Sequence, residues 1–454
     1  MDISTVGFRL LLCMVVAVAG ILSATALPAN AQRISFIRDA ETENTIRAYV
    51  TPLLLAARLE PSAVRIFIVK DKALNAFVAA GQNLFINTGL IMRTADASEV
   101  MGVLAHETGH IAGGHLIRST RALKDASAST ILGYVLGGAA IVAGRPDVGS
   151  AIISGSQSLA VRSYLKFSRT QESAADRAGL RFLDETRQSS AGMLNFMKTL
   201  GEQELLSAPR QDAYVRTHPL TRDRIHFLEH HVANSRYTNV PTPEKFKRAP
   251  ARMVAKLRAF TQTKSRTFKY YPKSDISVPA RYARAIALFR NAKTNKALKI
   301  MAGLIFEQPD DPYFHELKGQ ILFENGRIDE AIPPYEKAAE LLPGSSLILA
   351  DLARAQMQKD DATSRDKAIR NLNSSLAIEP KRPFTWRLLA TAEGKNSNMV
   401  ESWRALAEEA LLHGRFDNAI SLARRSQSRT EVGTPVWLRT EDIIAAATEA
   451  KNNR

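Results

Sequence analysis

The sequence predicts an α+β chain in two parts, a mainly helical domain with a small β-sheet followed by an all-α array of stacked helices. Three observations carry this. Apolar residues fall at helical spacing in Glu41–Leu59 and ahead of Gly113-Gly114, whereas Val64–Val69 and Asn83–Ile86 are short β-branched and aromatic runs. Beyond Val278 the chain turns Ala-rich with recurring turns. With 454 residues, 45% hydrophobic and 23% charged, composition excludes disordered, collagen-like and multi-span membrane classes and suits two or three domains.

Residues 1–31 predict an export signal. Arg9 precedes an apolar run from Leu10 to Leu22 that is too short to span a bilayer, and Ala29-Asn30-Ala31 offers a small-residue cleavage site. Cleavage after Ala31 leaves 423 residues and keeps the net charge at +16, because Asp2 and Arg9 leave together. An uncleaved membrane anchor is the alternative. The only cysteine, Cys13, lies in this segment, so the mature chain has no thiol or disulfide chemistry.

Asp96 offers a helix N-cap with Glu99 three residues on, ahead of an apolar helix running toward Gly113-Gly114. Ile131–Ala160 is apolar but broken by glycines before 18 uninterrupted residues accumulate. It fits a lid of two short helices, a segment dipping into a membrane surface, or a plain core hairpin. A helix around Arg169–Glu185 and a loop at His218-Pro219 follow. Glu244–Ser274 then carries ten Lys/Arg and one acid, nine of the sixteen net positive charges, interleaved with Phe246, Phe260, Phe268, Tyr270 and Tyr271. It reads as a solvated connector, with an anionic membrane or an acidic partner as the alternative. Nucleic acid is not expected, since an exported protein meets little of it.

Past the connector, Pro309, Pro343 and Pro380 lie 34 and 37 residues apart, and Gly319, Ala331, Tyr335 and Ala338 occupy the small and aromatic positions of a tetratricopeptide repeat. Asn325-Gly326-Arg327-Ile328-Asp329-Glu330-Ala331-Ile332 recurs as His413-Gly414-Arg415-Phe416-Asp417-Asn418-Ala419-Ile420. Four or five repeats are expected, with a generic helical bundle as the alternative.

The chemistry is carried by His106-Glu107-Thr108-Gly109-His110. On a helix, residues i and i+4 lie about 40° apart around the axis, so both imidazoles can converge on one zinc ion. Glu107 is offset by about 100° and stands beside the metal, where it can take a proton from acidified water. A catalytic zinc needs a third protein ligand and an open place. A histidine at 116 would complete one known arrangement, but that position is Leu116. His115 lies about 180° from His106 on a continued helix and faces away unless Gly113-Gly114 breaks the turn. Another arrangement takes a glutamate from a later helix. Glu172 offers one, and Asp176 on the same face could fix a ligand histidine's tautomer. An exposed acidic helix face is the alternative for this pair.

His106–His110, Glu172–Asp176 and Thr217-His218-Pro219-Leu220 together resemble the M48 family of zinc metalloproteases, and Asn75-Ala76-Phe77 with Asn87-Thr88-Gly89-Leu90 resembles the strand and turn before that family's zinc helix. The resemblance implies a gluzincin-like domain over 32–240, a connector over 241–278 and repeats over 279–454. It implies one Zn2+ held by His106, His110 and Glu172, with Glu107 as general base and later proton donor. Substrate would pair with an edge strand, expected at Gln82, Asn83, Leu84, Phe85 and Ile86. His218 would stabilise the oxyanion or cap the zinc in a latent state, and Arg224 would serve the oxyanion or hold that loop; a satisfied loop histidine is the alternative for His218.

The signal and repeats further resemble periplasmic members of the family that enhance β-barrel assembly in Gram-negative bacteria. This implies unfolded or misassembled outer-membrane proteins as clients and the β-barrel assembly complex as partner through the repeats. Contact with a membrane surface would run through 131–160 or 244–274. A chaperone or scaffold with an idle zinc site is the rival reading, which the intact Glu107 disfavours. A membrane-embedded protease would need apolar spans of about 20 residues, and the mature chain has none.

Overall fold

The computed structural model describes residues 35–453 except 80, 95, 120, 122–167, 202–213 and 215–216. The expected signal segment and the Ile131–Ala160 stretch lie outside the described residues. Helix Ala40–Ala56 opens the catalytic half, capped by Asp39, whose side chain accepts from the Thr42 amide at 2.7 Å. Four strands follow the order β1-β2-β4-β3, with β1 at Phe36–Ile37, β2 at Arg65–Val69, β3 at Ala76–Ala79 and β4 at Asn83–Asn87. β4 pairs parallel with β2, Arg65 opposite Asn83, and antiparallel with β3, Ala76 opposite Ile86.

This order corrects one expectation. The stretch around Gln82–Ile86 does not form an edge, because β4 has a neighbour on either side; among the described residues the outer strand there is β3. Sequence patterning marks a strand but carries no record of which strand lies outermost. Helix Thr88–Arg93 also replaces the turn read at Asn87–Leu90.

Apolar faces of Ala40–Ala56, Ala97–Ala112, the helix at residues 168–185 and Ala191–Gly201 meet in one core that includes Leu53, Ile86, Leu104, Phe182 and Met197. From Val278 to Asn452, ten consecutive helices pack each on the next. Gly319 is the tight point of one pair, since a Cβ there would stand 2.8 Å from the Tyr335 ring. Gly326 and Gly414 turn the repeated motif with φ of +73° and +68°. Ala292 and Ser397 adopt the same left-handed turn without glycine, at φ of 55° and 60°, and so escaped the sequence pattern.

The basic segment is not a solvated connector. It forms helices Glu244–Thr261 and Lys264–Tyr270. Met253 and Leu257 join the core of the catalytic half, and Ala255 and Ala259 join the first core of the repeats. Lys256 is buried and reaches Asp39, Glu41 at 3.4 Å and Glu316 at 3.8 Å; Arg252 bridges Glu41 and Asp311. Positive charge that reads as surface is therefore spent partly inside, on acids of the first helix and of the repeats. Ile37–Arg454 forms one compact unit.

Candidate metal centre

Two close helix crossings set the site. Asp96 caps helix Ala97–Ala112, accepting from the amides of Ser98 at 2.7 Å and Glu99 at 3.3 Å. The helix at 168–185 crosses it where neither side leaves room for a larger residue. A Cβ on Gly109 would lie 2.6 Å from the Ala175 carbonyl oxygen, and one on Gly179 would lie 3.0 Å from the Ala105 carbonyl carbon. This approach brings Glu172 to the histidines.

His106 Nε2 lies 3.0 Å from His110 Nε2 and 3.2 Å from Glu172 Oε2, and His110 Nε2 lies 3.3 Å from Glu172 Oε1. His218 Nδ1 closes the group at 3.3 Å from His106 Nε2 and 3.2 Å from Glu172 Oε2. Four ligands at about 2.0–2.1 Å from a tetrahedral zinc stand about 3.3 Å apart. The four residues thus offer donor atoms at the spacing of such an ion, and all lie within 4.8 Å of one another.

Around the donors, the charge balance favours a cation at the centre. Burial alone keeps an imidazole neutral, yet the Asp176 and Glu172 carboxylates override it at His106 and push it up to about 10. Burial pushes His110 down to about 3. For Glu172, burial opposes the charge, but His218 and hydrogen bonds from the histidines hold it well below the usual carboxylate range. Glu107 is fully buried, and among the described residues neither carboxylate oxygen has a hydrogen-bond partner; burial raises its pKa. His218 Nε2 lies 3.4 Å from its Oε1.

Asp176 Oδ1 accepts from His106 Nδ1 at 2.8 Å. Arg224 grips the same carboxylate with Nε at 2.6 Å and Nη2 at 2.9 Å, and its Nη1 donates to the Pro219 carbonyl at 2.7 Å. The same Nη1 lies 3.1 Å from Glu172 Oε2, so Arg224 touches the donor cluster as well as the His218 loop. His218 Nε2 in turn lies 3.2 Å from the Ala76 carbonyl oxygen on β3.

One neighbour lies outside the residues that the sequence singles out, and another takes a different place. Tyr214 stacks on His218 at 4.5 Å between centroids, and its carbonyl accepts from the His218 amide at 2.7 Å; its spacing four residues before His218 was the available signal. His115, weighed as a ligand, sits instead behind His110, its Nδ1 2.9 Å from His110 Nδ1.

Known proteins agree with this architecture. The model of peptidase family M48 matches residues 40–232, and a tetratricopeptide repeat model matches residues 282–346. A relative named beta-barrel assembly-enhancing protease, from Escherichia coli (strain K12), is 27% identical over 373 residues, covering 81% of this chain and 75% of that protein. Its namesake from Yersinia pestis is 25% identical over 372 residues, with the same coverage. Metalloprotease YcaL of Escherichia coli (strain K12) is 27% identical over 186 residues, covering 39% of this chain and 64% of that protein. A solved MamA structure, 19% identical, covers 37% of this chain and 95% of that one at a TM-score of 0.31. With the His/Glu cluster in place, the chain is a metallopeptidase that carries a family M48 domain followed by tetratricopeptide repeats.

Proposed function

We propose that this chain is a periplasmic, zinc-dependent endopeptidase acting in the quality control and assembly of outer-membrane β-barrel proteins. The hydrolytic reading rests on one observation: four residues whose ligand atoms lie within 4.8 Å of one another beside a buried Glu107 carboxylate that has no hydrogen-bond partner among the described residues. The client class rests on the names of the relatives and on an array of stacked helices suited to holding a chain or an assembly partner.

His106, His110 and Glu172 would hold the metal, with His218 as a fourth ligand at rest. Zinc there supplies Lewis acidity that polarises a scissile carbonyl and acidifies water. Glu107 takes the proton from water, and its burial keeps that proton on the carboxyl until the leaving amine receives it. Asp176 accepts from His106 Nδ1 and so keeps Nε2 turned to the donor set, while Arg224 fixes both Asp176 and the Pro219 loop.

An extended client would pair with β3, at Ala76–Ala79, which is the outer strand among the described residues. The Asn87 amide donates to the Asn75 carbonyl, so successive carbonyls place that of Ala76 on the outer side, where His218 Nε2 now meets it. A client amide that takes the Ala76 carbonyl removes one of the contacts that hold the His218 ring. Client pairing and opening of the fourth place are thereby linked, and the resting enzyme is latent.

The test uses the mature chain and a denatured outer-membrane β-barrel protein, with zinc content measured alongside cleavage. Cleavage abolished by chelator and by Glu107→Gln is the expected result. Absence of bound zinc, or cleavage indifferent to both, overturns the reading.

A further inference from the structure

The two metal-facing histidines differ in what stands behind them. His106 Nδ1 meets the Asp176 carboxylate, whereas His110 Nδ1 meets a second imidazole, His115 Nδ1, at 2.9 Å. The rings lie 4.9 Å apart between centroids and 82° to one another, so the contact runs edge to face rather than as a stack. Two imidazole nitrogens at this distance share one hydrogen, so one donates and the other accepts. His110 turns Nε2 toward Glu172 and His106, which leaves its Nδ1 to carry the hydrogen.

We propose that His115 is a positioning residue of the metal centre: its Nδ1 accepts from His110 Nδ1–H and fixes the tautomer and ring plane in which His110 offers Nε2 to zinc. This rests on the metal-site reading above.

The local fold is built around that contact. Helix Ala97–Ala112 ends at Gly113, and Gly114 at φ +61° reverses the chain, which returns His115 from the far side of the helix. The returned ring fills the space that Gly113 leaves open, since a Cβ on Gly113 would stand 2.3 Å from His115 Nε2. Across the gap, Gln171 Nε2 donates to the His115 carbonyl at 3.3 Å, and Ser119 Oγ donates to Gln171 Oε1 at 2.8 Å. Gln171 adjoins Glu172, so the residue beside one metal donor ties down the backbone of the residue behind another. His115 itself is 4% exposed.

A neutral imidazole is a weaker acceptor than a carboxylate. The hold on His110 is therefore the more easily lost of the two, and it can be removed without leaving a charge unpaired.

Zinc affinity of the full mature chain, by competition with a chromophoric chelator, tests the role. His115→Leu should weaken zinc binding about 10- to 100-fold, the usual effect of losing a partner behind a metal ligand. His115→Asn places an oxygen acceptor near the Nδ1 position and should recover most of that loss, which filling space alone does not predict. Gly113→Ala, which pushes the ring off His110 without deleting it, should weaken binding in the same direction and decides the matter if His115→Leu fails to fold. Wild-type affinity in folded His115→Leu or in Gly113→Ala, or equal losses in His115→Leu and His115→Asn, overturns the inference alone. A wild-type chain that binds no zinc overturns the metal-site reading with it.

Discussion

His218 Nε2 stands 3.2 Å from the carbonyl oxygen of Ala76, so the loop that supplies the third imidazole of the His/Glu cluster is tied to the outer strand of the sheet. Removing the imidazole should open the site. His218→Ala is expected to raise cleavage of an unfolded substrate about fivefold, the worth of a hydrogen bond of about 1 kcal/mol. Equal or slower cleavage by the folded variant rules out latency.

Glu107 and Glu172 should separate cleanly in a paired measurement of metal and rate. Glu107→Gln is expected to keep its zinc and lose about 10²–10⁴ in kcat, because only the base is gone. Glu172→Gln should lose zinc itself. Metal content in Glu172→Gln equal to that of the wild type refutes the ligand assignment.

Close crossing at Gly109 of the two helices that carry His106, His110 and Glu172 predicts low tolerance there. Gly109→Ala places a methyl 2.6 Å from the Ala175 carbonyl oxygen and forces the helices apart. The expected cost is about 1–3 kcal/mol in chemical denaturation, with zinc affinity falling alongside. A variant as stable as wild type shows that the crossing is not tight.

A pH dependence follows from Glu316, in the junction between the catalytic half and the repeats. Burial pushes its carboxyl up to about 8, against an ordinary value of 4.5. Between those values the folded chain keeps a proton that the unfolded chain has released, so stability falls as pH rises through the window. Glu316→Gln removes the dependence. Its thermal midpoint should exceed that of wild type by a margin that grows as pH rises toward about 8; a constant margin refutes the assignment.

What the sequence disclosed and what it hid divide along physical lines. His106, Glu107, His110, Glu172 and Asp176 were legible because helical geometry converts sequence spacing into direction, and the structure brings these five side chains together. Strand order was hidden: Ala76–Ala79 and Asn83–Asn87 are both short and apolar, and only tertiary pairing makes the first outermost. Lys256 misled for the opposite reason. A lysine among basic neighbours reads as surface, and nothing nearby in sequence reveals Asp39 and Glu41 some 200 residues earlier. His115 was half legible, since Gly113-Gly114 announced a break but not where the ring would land.

Helix Glu244–Thr261 behaves as a shared keel. Met253 and Leu257 belong to one hull and Ala255 and Ala259 to the other, on neighbouring positions of a single rod. A cut at residue 240, where composition suggests a seam, would strip the catalytic half of part of its own interior and leave an apolar scar. By the same token, a load taken up by the repeat array has a stiff path back to the peptidase, with no slack tether to absorb it.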